Sequence, residues 1–227
     1  MTSRSDRRMH PDHRNYDRAE CVVFRKTNEA FGGLSNMAAG FPIEVNGVAI
    51  RTSEALYQAC RFPHRPDLQR LIFHQASPMA AKMVGKPHRS ATRPDWDGVR
   101  VDVMRWCLRV KLVQNWDRFR DLLLATDEKP IVEESRRDDY WGAKSKGQTL
   151  AGRNVLGRLL MELRREVRDP WLDQLSVDAP RVSGLFIDGR PVALIRADRL
   201  VAKDPVLMEA ADAPSRVTQT TLFPHED

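Results

Sequence analysis

Glu54 is a candidate catalytic residue because of its position in the sequence. It lies in the segment TSEALYQACRF (52–62), where the spacing of apolar residues predicts a helix that begins near Ser53. The helix dipole favours the anionic form of a carboxylate in the first turn of a helix. Such a group could stabilise a cation that develops beside it, and a surface glutamate that merely complements the dipole is the alternative interpretation.

Two other segments could supply contacts to a ligand. In FGGLSNM (31–37), two glycines allow a ligand to approach the backbone, and Ser35 and Asn36 offer directional hydrogen bonds. In DDYWG (138–142), two adjacent carboxylates stand beside Trp141, whose ring could stack on a nucleobase. A plain turn and a solvated acidic turn are the alternatives for these two segments.

The segment KGQTLAGRN (146–154) leads into an apolar pattern that predicts a helix near Leu156. Free backbone N–H groups at a helix N-terminus bind phosphate, and Lys144, Lys146 and Arg153 would add positive charge. The segment is not a Walker loop, because the pattern GxxxxGK[ST] is absent from the sequence. It therefore predicts a phosphate site without a nucleotide-binding signature.

The positive charge of the chain is concentrated in its middle. The 227 residues carry a formal net charge of +6, from 37 lysines and arginines against 31 aspartates and glutamates. Between Arg51 and Arg120 there are 14 basic and 6 acidic side chains, so this part alone carries +8. Such an excess favours a polyanionic partner, nucleic acid or a pyrophosphate, and a solvated face with scattered arginines is the alternative.

Composition excludes several classes of protein. The three cysteines form no CxxC pair and the six histidines show no metal-ligand spacing, so we expect no disulfide framework, no metal and no other cofactor. No apolar run reaches the roughly 18 residues of a membrane span, and the basic N-terminus lacks the apolar stretch of a signal peptide. We therefore expect a cytoplasmic protein with no membrane partner.

The elements that must position these residues are predicted to be helices combined with short β-hairpins. Asn46-Gly47 and Asp188-Gly189 are dipeptides typical of two-residue hairpin turns. The polar segment 133–154 predicts one long surface loop. Helical patterns begin near Glu54, Pro66, Pro78, residue 98, Phe119 and Leu156. Together these patterns predict an α+β fold, mainly helical, in a single domain.

The chain is predicted to divide into four parts. Residues 1–18 are polar and without periodicity, which predicts a disordered tail. Residues 19–168 contain the helical patterns and the segments described above, and form the main domain. Residues 169–207 predict a β-hairpin extension packed on that domain, and residues 208–227 a flexible tail.

Six segments, taken in order, resemble the NADAR (YbiA-like) family. They are LSNM (34–37), TSEALYQACRF (52–62), SPMAAKMVGK (77–86), RPDWDGVRVDVM (93–104), DDYWG (138–142) and GRNVLGRLLMELR (152–164). No single segment is specific to the family, but six matching segments in the family's order are not expected by chance. The resemblance extends from about Phe24 to Val167 and identifies residues 19–168 as the catalytic domain of the family, with a YbiA-like fold.

The resemblance implies an N-glycosidase, which cleaves the bond between a ribose anomeric carbon and a nitrogen. One branch of the family acts on early intermediates of riboflavin synthesis. Another removes ADP-ribose from guanine bases and includes antitoxins of DarT-type ADP-ribosyltransferase toxins. Ala55 and Leu56 replace a histidine and an aromatic of the riboflavin-type pattern, and residues 143–146 replace its glycine-rich stretch. The segment FRKTNEAFGGLSNMA (24–38) looks more like the toxin-associated branch.

The resemblance also places residues in roles. Glycosidic cleavage needs a carboxylate that stabilises the oxocarbenium-like state or activates water, and a proton donor for the leaving nitrogen. Glu54 and Asp139 match these roles in an order that stays open. Lys82 is a third candidate, because an amine whose pKa is lowered by burial or by Lys86 and Arg89 could capture the ring-opened ribose as a Schiff base. A solvated helix lysine is the alternative. The residues expected to bind substrate are Arg25, Ser35, Asn36, Gln58, Trp96, Trp141, Gly142, Asn154 and Gly157.

The expected function is therefore hydrolysis of ADP-ribose from guanine in DNA, with RNA left open as the substrate and free ADP-ribose as product. The expected partner is a cognate DarT-type toxin, which the protein would counteract as its antitoxin. Hydrolysis of a riboflavin-pathway intermediate is the first alternative. The second is an antitoxin that neutralises its toxin by binding alone.

Overall fold

The computed structural model describes residues 12–169, 172 and 176–197. Within these residues the chain forms an α+β fold of helices and short strands. The helices are α1 (Ser53–Ala59), α2 (Pro66–Phe73), α3 (Pro78–Val84), α4 (Trp96–Gln114), α5 (Trp116–Leu124) and α6 (Val155–Glu166). The strands are β1 (Arg14–Asp17), β2 (Val22–Phe24), β3 (Ile43–Val45), β4 (Val48–Ile50), β5 (Ile131–Glu133), β6 (Lys144–Lys146), β7 (Thr149–Gly152), β8 (Ser176–Val177), β9 (Phe186–Ile187), β10 (Arg190–Pro191) and β11 (Ile195–Arg196).

The long helix α4 organises the core. It packs against α1 on one side and against α5 and α6 on the other, while α1, α2 and α3 contact one another. The buried side chains of α4, among them Val103, Cys107 and Val110, recur at three- and four-residue steps, as the pattern over 98–113 predicts. The predicted helix is therefore confirmed, and it extends two residues further toward the N-terminus. None of the described helices is both long enough and apolar enough to cross a bilayer.

A parallel pair of strands joins two segments of the main domain that are far apart in sequence. Strand β2 pairs with β5, so that Phe24 lies opposite Glu133. Ile131 and Val132 are fully buried, and β5 packs against α6. This pairing fixes the position at which Glu133 leaves the sheet.

A three-stranded antiparallel sheet, in the order β1, β7, β6, corrects two predictions. Residues 14–17, within the predicted disordered tail, pair with β7 along their length. The predicted surface loop 133–154 contains the hairpin of β6 and β7, which turns at Gly147 with a φ of +66°. The polar residues of β6 lie on an exposed edge strand, and for that reason the sequence resembles a loop. Residues 1–11 lie outside the described residues.

Both predicted hairpin turns are present. The turn between β3 and β4 has positive φ at Asn46 and Gly47, as does the turn between β9 and β10 at Asp188 and Gly189. The two hairpins contact each other, because the Asn46 side chain donates to the carbonyl of Ile187 at 3.1 Å. The flexible tail predicted for 208–227 lies outside the described residues.

Candidate active site

Glu54 is held between two side-chain amides. Helix α1 begins after Thr52, whose hydroxyl accepts a hydrogen bond from the N–H of Ala55, and Glu54 stands in the first turn with 6% of its surface exposed. Asn36 Nδ2 donates to Glu54 Oε2 at 2.8 Å, and Gln58 Nε2 donates to Glu54 Oε1 at 2.8 Å. Gln58 reaches this position because residues four apart share a helix face. The structure thus brings together three of the predicted site residues.

The loop that carries Asn36 is fixed from below by a buried lysine. Lys111 of α4 is fully buried, and its Nζ donates to the carbonyl oxygens of Gly33 at 2.6 Å and Ser35 at 3.1 Å. Burial holds the pKa of Lys111 well below its ordinary value. The backbone carbonyl of Asn36 accepts from the N–H of Glu54 at 3.0 Å, which ties the loop to α1.

The surroundings of Glu54 change the pKa of its carboxyl. Burial raises this pKa above the ordinary value. The charge of Lys82 opposes the rise most strongly, followed by the hydrogen bonds from Gln58 and Asn36. Burial is the larger effect, so Glu54 holds a proton more readily than an exposed glutamate does. A shifted carboxyl of this kind is typical of groups that exchange protons in catalysis.

A second carboxylate of the site, Glu133, is missing from the predicted set. It stands at the end of β5, and its pKa is raised to about 7, first by burial and then by the charges of Asp138 and Glu54, while Lys82 lowers it. Glu54, Glu133 and Lys82 therefore influence one another electrostatically. In the sequence, Glu133 opens the polar run EESRRDD, but the apolar pair Ile131-Val132 before it could have indicated a buried strand that ends at a carboxylate.

The structure separates the two adjacent aspartates of DDYWG. The carboxylate of Asp138 accepts from the backbone N–H groups of Tyr140 and Trp141, each at 2.9 Å, and its charge acts on Glu133. Asp139 is exposed and pairs with Lys144 Nζ at 2.6 Å, which lowers the pKa of Asp139. The predicted catalytic role of Asp139 thus finds no support in the contacts described for it. Asp138 is the aspartate that acts on a site carboxyl.

Lys82 is exposed on α3, a helix that Ser77 caps by accepting from the N–H of Ala80. Its positive charge lowers the pKa of both Glu54 and Glu133. The predicted lysine therefore interacts electrostatically with both carboxyls. This position is compatible with an amine that acts on a bound sugar.

Aromatic rings form a wall next to the carboxyls. The ring centroid of Tyr57 lies 5.0 Å from that of Trp96 and 5.7 Å from that of Trp141, and Trp141 contacts Tyr140 at 5.2 Å. Burial and the charge of Glu54 both raise the pKa of Tyr57, so the wall adjoins the carboxylate. Trp96 and Trp141 keep part of their surface exposed, which leaves ring area for a ligand.

Three of the residues predicted to bind substrate support β5. Asn154 donates to the carbonyl of Ile131 at 2.8 Å and accepts from the N–H of Glu133 at 3.2 Å. A Cβ at Gly157 would lie 2.1 Å from the carbonyl oxygen of Ile131, and one at Gly142 would lie 2.5 Å from that of Glu133. These contacts explain Asn154, Gly142 and Gly157 as residues that fix Glu133 in place.

The phosphate site predicted at the start of α6 is wrong. The backbone N–H groups of residues 153–156 donate to the carbonyl oxygens of residues 139–142, at 2.7 to 3.1 Å. These donors are therefore occupied by the DDYWG segment. A loop that packs over the first turn of a helix uses the same amides that a phosphate would need.

The two remaining predicted residues have backbone roles or lie at the surface. Ser35 is buried, and its hydroxyl accepts from the N–H of Met37 at 3.2 Å. Arg25 is exposed, and its N–H donates to the Glu29 carboxylate at 2.9 Å. Neither contact is with the residues that surround Glu54.

Comparison with known proteins shows the family to which this chain belongs. The NADAR domain profile matches residues 23–168. N-glycosidase YbiA of Escherichia coli (strain K12) is 39% identical over 149 residues, which cover 64% of this chain and 88% of that protein. The NMR structure of the E. coli protein YbiA is similar, with a TM-score of 0.57 and 37% identity over 66% of this chain and 86% of that chain. A riboflavin biosynthesis protein of Vibrio vulnificus (strain YJ016) is 33% identical over 150 residues, 65% of this chain and 39% of that protein. Because the family profile covers more than half of its residues, this chain belongs to the NADAR family.

Proposed function

We propose that this protein is an N-glycosidase that hydrolyses ADP-ribose from guanine bases of DNA. The observation that carries the glycosidase activity is the pair of carboxyls, Glu54 and Glu133, whose pKa values are both raised and which share the nearby charge of Lys82. Glycosidic cleavage requires two such groups with separate roles. The relatives that are named N-glycosidases support the same reaction type.

We assign separate roles to the two carboxyls, and their surroundings support the assignment. Glu54 is held by Asn36 and Gln58, so its oxygens are fixed where they can face the positive charge that develops on the anomeric carbon. Glu133 has a pKa of about 7 and is protonated in a large fraction of molecules at neutral pH. It is therefore suited to donate a proton to the leaving nitrogen of guanine. Water attack on the sugar completes the hydrolysis.

Lys82 offers a covalent variant of this route. Its amine would attack the anomeric carbon, forming a carbon–nitrogen bond as the bond to guanine breaks and guanine leaves with a proton. Opening of the ribose ring would then give an imine, and water would hydrolyse that imine, releasing the sugar and regenerating the amine. Glu54 and Glu133 lie close enough to Lys82 for their charges to interact, so either could exchange the proton that the amine must lose.

Two features support a nucleic-acid substrate. The partly exposed rings of Trp96 and Trp141 offer a surface on which a purine can stack. The part of the chain from Arg51 to Arg120, with 14 basic against 6 acidic side chains, offers positive charge for a phosphate backbone. On this basis we propose that the protein acts in a toxin-antitoxin pair, as the antitoxin to a DarT-type toxin.

A second candidate is hydrolysis of an early riboflavin-pathway intermediate, because one similar protein is named a riboflavin biosynthesis protein. Ala55, Leu56 and the segment 143–146 depart from the riboflavin-type pattern. Of these, Lys144 is engaged in the ion pair with Asp139. A third candidate is neutralisation of a toxin by binding alone. It needs no site carboxylate, so protection from the toxin should persist in the Glu54→Gln protein.

Parallel assays distinguish the three candidates. The protein is incubated with an ADP-ribosylated DNA oligonucleotide, with its RNA counterpart and with a phosphoribosylated pyrimidine of the riboflavin pathway, and the products are separated by liquid chromatography. Release of ADP-ribose from the oligonucleotide is the expected result. Turnover of the pyrimidine alone would establish the second candidate. Stoichiometric protection from the toxin by the Glu54→Gln protein would establish the third.

A further inference from the structure

Two arginines from distant parts of the chain lie over one tyrosine ring. The guanidinium carbon of Arg100, in the first turns of α4, is 4.0 Å from the ring centroid of Tyr140. That of Arg153, between β7 and α6, is 4.5 Å from the same centroid. Each cation is attracted to the ring, but two like charges around one ring also repel each other. An anion bound between them would offset that repulsion.

The acidic partners of these arginines neutralise them weakly. Arg100 Nη1 lies 3.4 Å from the Asp97 carboxylate, whose side chain is 89% exposed. Arg153 Nη2 lies 3.1 Å from the Asp12 carboxylate, which is 46% exposed. Exposed ion pairs contribute little and are screened by salt. The cluster therefore keeps most of its positive charge available.

The two guanidinium groups also have spare hydrogen-bond donors. The Nε atoms of Arg100 and Arg153 are buried, and neither has a hydrogen-bond partner among the described residues. Each guanidinium carries five N–H donors in a planar fork that matches the oxygens of a phosphate. Two forks around one ring therefore suit a phosphate or a diphosphate better than a single carboxylate.

The arginine cluster adjoins the candidate active site. The Tyr140 ring packs against Trp141, and Trp141 packs against Tyr57, which lies one helical turn after Glu54. The charge of Arg100 lowers the pKa of Tyr57, so the cluster and the aromatic wall belong to one surface. A phosphate at the arginines would leave its attached sugar near the carboxyls.

We infer that Arg100, Arg153 and Tyr140 form a binding site for the phosphate or diphosphate group of the substrate. The site replaces the predicted one at the start of α6, whose backbone donors are occupied. Its chemistry stands on the arginine contacts alone. The identification of the anion as the diphosphate of ADP-ribose rests on the proposed function.

The test measures anion binding apart from catalysis. Inorganic pyrophosphate, ribose 5-phosphate and ADP-ribose are titrated into the full chain by calorimetry at low salt. The variants Arg100→Gln and Arg153→Gln should each weaken pyrophosphate binding about tenfold or more, since each removes charge-assisted hydrogen bonds. The matched control Arg109→Gln removes an exposed arginine that pairs with Glu166 instead and should change binding by less than about twofold.

The outcomes separate the site from the proposed function. The site would be overturned if the unchanged protein does not bind pyrophosphate, or if both variants bind it as tightly as the unchanged protein does. Ribose 5-phosphate binding as tightly as ADP-ribose would assign it to a monophosphate. Two results together would keep the site and overturn the proposed function: both variants lose pyrophosphate binding, and the unchanged protein removes no ADP-ribose from the oligonucleotide in the activity assay. If either glutamine variant fails to fold, Arg100→Lys and Arg153→Lys keep the charge, lose the fork and should still weaken binding.

Discussion

Asn36 and Glu54 hold each other through two reciprocal hydrogen bonds. The amide of Asn36 donates to the carboxylate of Glu54 at 2.8 Å, and the backbone N–H of Glu54 donates to the carbonyl of Asn36 at 3.0 Å. The position of the carboxylate therefore depends on the loop before β3 as much as on α1. Lys111 fixes that loop through the carbonyls of Gly33 and Ser35. The candidate site is thus built on the core.

The change Glu54→Gln should abolish most of the glycosidase activity and leave the fold intact. Glutamine keeps the size of the side chain but removes the negative charge that faces the developing cation, and loss of one such preorganised electrostatic group costs about 10²- to 10³-fold in rate. Asp139→Asn is the matched control, because Asp139 pairs with Lys144 at the surface. It should retain activity to within about threefold. Equal losses in the two variants, measured as initial rates on folded protein, would restore Asp139 to the catalytic role.

The pKa of Glu133 makes the stability of the protein depend on pH. Its value in the folded protein is about 7, above the ordinary 4.5, so between these values the folded state binds more protons than the unfolded state. The stabilisation is complete below about pH 4.5 and is lost as the pH rises through about 7. The loss should be on the order of 3 kcal/mol, because the pKa is raised from 4.5 to about 7 and one pKa unit corresponds to about 1.4 kcal/mol.

Urea unfolding of the wild type and of Glu133→Gln across this pH range measures the effect. The free energy of unfolding of the wild type should fall relative to that of the variant as the pH rises from 4.5 to 7. Parallel curves for the two proteins would show that Glu133 titrates normally.

Lys82 should form a trappable adduct if it captures the opened sugar. Borohydride added during turnover reduces an imine to a stable amine, so the mass of the protein should increase by that of the reduced ADP-ribosyl group. Lys82→Arg keeps the positive charge near Glu54 and Glu133 but cannot form the imine, and it should show no adduct. Lys86→Arg, a change at another exposed lysine, should leave the adduct unchanged. An adduct that persists in the Lys82 variant would assign the chemistry elsewhere.

Gly157→Ala and Gly98→Ala should have opposite effects on stability. At Gly157 the new Cβ would lie 2.1 Å from the carbonyl oxygen of Ile131, so α6 and β5 must separate, at a cost of about 2 kcal/mol or more. At Gly98 of α4 nothing lies within 4 Å of the new Cβ, and alanine should stabilise the helix by up to about 0.5–1 kcal/mol. Denaturant midpoints measure both changes. Similar midpoints would show that α6 and β5 are not tightly packed.

The sequence predicted the part of the site around Glu54, which depends on local structure. Local patterns select Glu54, in the first turn of a helix, and Asn36, in a short turn. The family resemblance adds Gln58, which lies four residues after Glu54 on the same helix. Glu133 was not predicted as a site residue, because its burial depends on the parallel pairing of β2 and β5. These strands are separated by more than 100 residues, so the pairing leaves no local pattern in the sequence.

Other features also depend on contacts that a local pattern does not reveal. The choice between Asp138 and Asp139 depends on backbone hydrogen bonds inside a turn, which neighbouring identical residues do not reveal. Asn154 and Gly157 were recognised through the family resemblance, but only their contacts with β5 show that they support Glu133. The strand at residues 14–17 forms because β7 offers it an edge, which a polar sequence does not indicate.

The most direct test of this account is the removal of ADP-ribose from guanine in DNA. A DNA oligonucleotide with one ADP-ribosylated guanine is incubated with the wild type and with Glu54→Gln, and both the oligonucleotide and the released sugar are followed by mass spectrometry. The account predicts unmodified guanine and free ADP-ribose in equal amounts with the wild type, and an intact modified oligonucleotide with the variant. The account would be contradicted if the folded wild type leaves the oligonucleotide modified, or if the Glu54→Gln variant removes ADP-ribose as fast as the wild type.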